Sequence, residues 1–347
     1  MTCAFPALVG ILLASMAFFA PAHSAGSAQE FARLVEAVSG DQIMKTIQDL
    51  EGYGSRINNA STIVNAGSYI HDEFMALGLS VEYHDFLVGN HVSRNVVATL
   101  HGESARSPQY LFGAHYDSAT TTMFQYADMA DVPAPGADDD ASGVAAVLEL
   151  ARVLHDEKLQ STVKFVAFAA EETGLNGSAD FVVRERAAGT EYVGTAIMDM
   201  IGYRSSQVNR VNLYLNQAGD TFADATEEAI PMFDINLTAT IVVDPNMTYS
   251  DHYPFWVADY PSMLVIEQMD SNTGMPANPY YHTAYDTSDH LSVEQMTEIT
   301  KAMLGAMLIL NEPLKEGTGL WLALAVIMIV ASAIIVLMYI GRRRIRQ

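Results

Sequence analysis

Residues Pro135 to Gly143 read PGADDDASG and set Asp138, Asp139 and Asp140 side by side just before the apolar run VAAVLELARVL. Adjacent carboxylates repel one another, and desolvating one without a partner costs an amount comparable with the whole net stability of a domain. The nearest basic residues in sequence are Arg106 and Arg152, so a divalent metal is an attractive source of compensating charge. Taken alone, the triplet is better accounted for as a solvated acidic turn capping the next helix. Other groups of the same chemistry accompany it. His115 and Asp117 follow an apolar run in GAHYDS, Glu171 and Glu172 follow TVKFVAFAA, Asp199 follows VGTAIM, and His282 stands in YYHTAYDT. Each has a structural explanation by itself, as a buried histidine, a helix start or a turn residue. Together, two imidazoles and several carboxylates match the hard and borderline donors that zinc prefers.

Such groups need strand ends to converge on one place. Gln29 to Leu50 and Thr62 to Leu77 carry apolar residues at helical spacing, the second ending at Gly78. Ser80 to Val88 and Ser93 to Leu100 read as strands at a sheet margin, being rich in β-branched and aromatic residues with polar ones interleaved. Gln109 to Gly113 is a third strand and leads directly to His115. After a loop from Ala119 to Pro135, Ser142 to His155 reads as an amphipathic helix, Thr162 to Ala170 as a buried strand, Ser178 to Arg186 as a helix and Val193 to Met198 as a strand. Val208 to Leu215, Ile241 to Asp244 and Pro261 to Ile266 are further strands, with helices at Asp220 to Ile230 and Leu291 to Leu310. Strands alternating with helices, each tipped by an acid or histidine, predict an α/β fold with a mostly parallel central sheet and helices on both faces. Open sheets of this kind place chemistry at their strand ends. No internal repeat or inserted second domain interrupts the series.

The segments GAHYDS, PGADDDASG, AAEETGLNGS, MDMIGY, SDHYPF and YYHTAYDT, in this order, resemble the dinuclear zinc aminopeptidases of the clan that also contains glutaminyl cyclases and glutamate carboxypeptidases. The likeness runs from about Thr62 to Leu310. It implies two zinc ions per chain, bridged by Asp139, with His115 and Asp199 completing one site and Glu172 and His282 the other. It also implies that Asp117 orients the His115 imidazole, that Glu171 is the general base, and that the Asp139–Asp140 peptide is cis. Asp138 and Asp140 then shape the turn, facing solvent or nearby donors. The charges agree: three ligand carboxylates and one hydroxide balance two divalent ions with both histidines neutral. Two departures stand out. Some relatives carry a tyrosine shortly before the histidine of the SDH turn, flanked by a disulfide. Here that stretch reads Asn246-Met247-Thr248-Tyr249 without cysteine, so either Tyr249 supplies the phenol from a shifted position or that donor is missing. The loop from Met269 to Tyr281 is long, so the specificity pocket does not transfer residue by residue; Met200 and Tyr281, which flank ligands, are expected in its wall.

Both chain ends read as addresses. Residues 1–25 contain an apolar run ending in small residues, as in a secretory signal peptide or a retained N-terminal anchor. Residues 317–341 are apolar over a length that crosses a bilayer, and the basic tail 342–347 follows. The expected arrangement is export, with the 26–316 domain outside the cytoplasm on a C-terminal transmembrane helix; a sorting signal that is removed has a similar form. The only cysteine is Cys3, which excludes a catalytic thiol or thiolate metal site in the domain. The exported region carries 14 basic against 41 acidic residues, which disfavours nucleic acid as a partner and suits cationic ligands such as peptide amino termini. No His-Glu-x-x-His and no Gly-x-Ser-x-Gly occurs. The reading is therefore an exported, membrane-anchored metalloaminopeptidase acting on peptides with a free amino terminus. A glutaminyl cyclase of the same clan and a metal-free binding module are the alternatives.

Overall fold

The computed structural model describes residues 25–311, apart from 59, 105–106, 121–132, 218 and 271–272. The leader expected over 1–25, save Ala25, and the apolar stretch and basic tail expected over 317–347 lie outside the described residues. Among the described residues, no helix is long and apolar enough to cross a membrane.

Ser39 splits the first helical region. Its backbone is extended and its side chain accepts from the Gln42 N–H, so the region expected over Gln29 to Leu50 forms two helices, α1 (Ala25–Glu36) and α2 (Gly40–Glu51). The chain continues through α3 (Ser61–Ala76), β1 (Ser80–Val88), β2 (His91–Leu100), β3 (Gln109–His115), α4 (Ala141–Leu154), β4 (Thr162–Phe168) and α5 (Asn176–Ala188). It then forms β5 (Tyr192–Met198), β6 (Arg210–Leu215), α6 (Thr221–Met232), β7 (Thr238–Val243), α7 (His252–Val257), β8 (Met263–Ile266) and α8 (Val293–Leu310).

The eight strands make one sheet in the order β1-β2-β4-β3-β5-β8-β6-β7. At its centre β4, β3, β5 and β8 are parallel, as expected for strands joined through helices. The sheet as a whole is mixed, with four of its seven pairings parallel, β6 with β7 among them. Gly89, with φ 60°, and Asn90 form a two-residue turn, and so short a connection returns β2 antiparallel to β1. The pairings of β2 with β4 and of β6 with β8 are antiparallel as well.

Alternate strand residues divide between two apolar layers, as the two-residue period of a strand requires. Val96, Phe112, Ala114 and Phe165 pack with residues of α2, α3, α4 and α8, whereas Val97, Leu111, Val166 and Phe168 pack with Phe181 of α5 and Phe255 of α7. Helix α4 departs from its expected amphipathic character. Every residue except Arg152 is buried, because β3, β4 and β5 lie against one side of it and α2 and α8 against others. Glu149 is enclosed along with the apolar residues, and the helix's fixed position holds the acidic triplet at its N-terminus.

Candidate active site

Three neighbouring parallel strands deliver the chemistry. His115 is the last residue of β3, Glu171 and Glu172 stand just beyond β4, and Asp199 follows β5 directly. Asp139 arrives from the turn before α4, and His282 from the long loop after β8. The six groups expected to act together do converge. His115 Nε2 lies 3.0 Å from Asp139 Oδ1 and 3.7 Å from Asp199 Oδ1. His282 Nε2 lies 3.1 Å from Asp139 Oδ2 and 3.1 Å from Glu172 Oε2. Each oxygen of Asp139 therefore faces one imidazole, and His115–Asp139–Asp199 and Asp139–Glu172–His282 form two trios with donor atoms close enough to hold a metal ion.

The backbone is unusual at these points. Ala170, Met200 and His282, each at or beside one of the converging residues, have φ of 60°, 54° and 54°. Left-handed conformations in non-glycine residues are costly and cluster at functional sites. The Asp139–Asp140 peptide is cis.

The triplet serves three purposes, and two of them differ from a solvent-facing turn. Asp138 is fully buried and accepts from the Gly202 N–H at 2.8 Å and from Asn278 Nδ2 at 2.6 Å. Asp140, also fully buried, accepts from the N–H groups of His115, Gly143 and Met200 at 3.1, 2.8 and 3.2 Å. It thus caps α4 and ties together the ends of β3 and β5. Asp286 in turn accepts the N–H groups of Asp138 and Asp139, both at 3.0 Å. Asp140→Ala leaves three buried N–H donors without their acceptor, at about 1–3 kcal/mol for an unsatisfied group. The thermal midpoint of the variant is expected to fall by several degrees; a midpoint equal to that of the parent contradicts the role.

Asp117 lies beside the His115 imidazole and also braces the acidic turn. His115 Nδ1 is 3.2 Å from the Asp117 main-chain oxygen and 3.6 Å from its Oδ1. The carboxylate itself accepts the N–H groups of Glu171 and Glu172, at 3.1 and 3.2 Å, and so fixes the turn that presents them.

Electrostatics marks the place as short of positive charge. Burial opposes charging of His115, yet Glu171, Asp117, Asp139 and Asp199 outweigh it and raise its pKa well above the usual value. Burial likewise opposes charging of His282, but Asp139 and Glu172 push it up to about 10. Burial pushes Glu172 up to about 7, helped by Asp139, and burial pushes Glu171 well above the carboxylate range, helped by Glu172, Asp251 and Asp199. Glu172 Oε1 is buried and, among the described residues, without a hydrogen-bond partner. An orphaned carboxylate oxygen beside imidazoles driven to take protons is the environment into which a cation fits, and the nitrogen and oxygen donors suit zinc.

A cavity of about 740 Å³ opens over these groups. Its wall includes Met200, Met247, Leu264, Ile266, Met269 and Met275. Met200, only 2% exposed, is in the wall as expected. Tyr281 lines the cavity too and stacks on His282, ring centres 3.9 Å apart. Tyr249 stands at the border, 81% exposed. Two supporting residues carry no signal legible in sequence. Arg56 is fully buried close to the acidic centre. Asn95, in β2, accepts the Ala169 N–H at 3.0 Å and donates to the Gly177 oxygen at 2.9 Å, bracketing the Glu171–Glu172 turn.

Residues 95–307 match the sequence model of Peptidase family M28. An Escherichia coli protein described as uncharacterized protein YfbL is 28% identical over 295 residues, covering 77% of this chain and 87% of that one. A probable leucine aminopeptidase of Trichophyton verrucosum is 26% identical over 287 residues, covering 79% of this chain and 72% of that one. The Legionella pneumophila LapA aminopeptidase has a similar fold, with a TM-score of 0.71 and 22% identity over 87% of this chain and 80% of that one.

Proposed function

The chain belongs to peptidase family M28, and from that membership we propose that it is an exported zinc aminopeptidase with two zinc ions per chain, anchored by its C-terminal apolar segment. The observation that carries the two-metal reading is Asp139, whose two oxygens each face a different histidine and are shared by both trios. His115, Asp139 and Asp199 would hold one ion, and Asp139, Glu172 and His282 the other. Bound there, the ions would supply Lewis acidity to the scissile carbonyl and lower the pKa of a water.

The protein's own groups account for the rest. Glu171 borders the cavity, belongs to neither trio, and is held by Asp117 through its N–H. It is placed to take a proton from the attacking water and return it to the leaving amine. The methionine-rich wall favours an apolar N-terminal side chain, since thioethers adapt to irregular apolar shapes. The acidic groups around the cavity suit the ammonium of a free amino terminus.

Assays of the purified chain with leucyl, methionyl and glutamyl anilides, their N-acetylated forms and an N-terminal glutamine peptide test this reading. Hydrolysis of the apolar aminoacyl anilides, lost on acetylation and on chelation, is expected. Cyclisation of the glutamine peptide without anilide hydrolysis would favour a cyclase, and neither activity would favour a binding module. Protease accessibility in intact cells tests the location: the domain should be cleaved from outside, and protection until lysis would contradict export.

A further inference from the structure

Arg56, between α2 and α3, is fully buried, and every side-chain hydrogen bond it makes among the described residues goes to a main-chain carbonyl. Nε donates to Tyr116 at 2.8 Å, Nη1 to Pro135 at 2.6 Å and to Leu50 at 3.3 Å, and Nη2 to Gly136 at 2.8 Å. Its main chain joins the same segments. The Arg56 N–H donates to Ser118 Oγ at 3.0 Å, the Ser118 N–H returns to the Arg56 oxygen at 3.3 Å, and Ser118 Oγ donates to Ala134 at 2.7 Å.

Tyr116 lies between His115 and Asp117, and Gly136 lies three residues before Asp139. One rigid guanidinium fork therefore spans the segment that carries His115 and the segment that carries Asp139. The approach is close enough to exclude a side chain on the loop. A Cβ at Gly136, where φ is 55°, would stand 2.9 Å from Arg56 Nη2 and 2.4 Å from the Asp139 oxygen. The carboxylates of Asp286, Asp117, Asp140 and Asp139 act on the guanidinium and support its charge against burial. A desolvated cation without a direct carboxylate partner is costly. Lysine, a compact ammonium, cannot reproduce a fork that reaches four carbonyls from one plane.

We propose that Arg56 is a positioning residue for metal retention: its fork sets the separation of His115 from Asp139, and its charge offsets the buried carboxylates around them. The inference rests on the zinc-peptidase reading. It singles out the His115–Asp139–Asp199 trio, because the fork holds the segments that carry His115 and Asp139 together and reaches neither Glu172 nor His282.

The test uses the full chain with Arg56→Met and Arg56→Lys, zinc affinities by competition with a chelator, and steady-state kinetics. In Arg56→Met, one of two zinc sites should weaken by about 10- to 100-fold. Its kcat should fall with KM nearly unchanged, and added zinc should restore part of kcat. Arg56→Lys should fall between Met and parent. A folded Arg56→Met chain, judged by circular dichroism, that binds both ions as the parent does overturns the proposal. Should the methionine variant fail to fold, Arg56→Lys decides: parent-like zinc affinity there overturns the role of the fork, and a weakened site supports it. A parent chain that binds no zinc instead refutes the zinc-peptidase reading on which the proposal stands.

Discussion

Glu171→Gln should lower kcat by about 10²- to 10⁴-fold, the range over which a positioned general base contributes, while zinc content and thermal midpoint stay near those of the parent. The reason is the division of labour between two adjacent acids. Glu172 Oε2 points to His282 Nε2 at 3.1 Å and belongs to a metal trio, whereas Glu171 borders the cavity outside both trios. The left-handed backbone at Ala170 and the two N–H bonds to Asp117 hold the pair in a non-helical turn, so successive side chains diverge. Glutamine preserves the size of the side chain and both hydrogen bonds to Asp117 but cannot accept a proton. Activity within tenfold of the parent would remove Glu171 from the role of base. Loss of zinc together with activity would make it a ligand instead.

Asp139→Ala should abolish turnover and deplete both metals at once. Each Asp139 oxygen faces a different histidine, at 3.0 and 3.1 Å, so one substitution removes a donor from both trios. Asp199→Ala and Glu172→Ala each remove a donor from one trio only, and each should retain about one ion. Stability gives a second signature. A ligand that binds only the folded chain stabilises it by about 4 kcal/mol at a thousandfold excess over Kd, so chelation should lower the thermal midpoint of the parent. Asp139→Ala, with little metal to lose, should melt at nearly the same temperature with and without chelator. Equal zinc content in Asp139→Ala and the parent would contradict a shared ligand.

The residues that converge were legible because each sits in a short polar punctuation at the end of an apolar strand, and because six such segments occur in a family-like order. His115, Asp139, Glu172, Asp199 and His282 meet as that order implied. The supporting shell was less legible, since it depends on contacts between residues far apart in the chain. Asp138 and Asp140 read as neighbours of Asp139 that shape the turn and face solvent or nearby donors, and only the fold shows which donors: the N–H groups of Gly202, Met200 and His115 need them. Arg56 was invisible because nearness in sequence pointed to Arg106 and Arg152 as the available cations. Burial of α4 on all sides was hidden for the same reason: Glu149 and Arg152 give its sequence a polar edge, but Glu149 is turned inward to accept the Ser39 N–H and the Arg152 side chain. The antiparallel margins were not legible, because the β2–β4 and β6–β8 pairings join strands that are not consecutive in the chain.

Anomalous scattering at the zinc edge, from crystals of the chain grown with zinc, locates the ions directly. Two peaks flanking the Asp139 carboxylate are predicted, one beside His115 and Asp199 and the other beside Glu172 and His282. A single peak, or two peaks that do not share Asp139, would contradict the account.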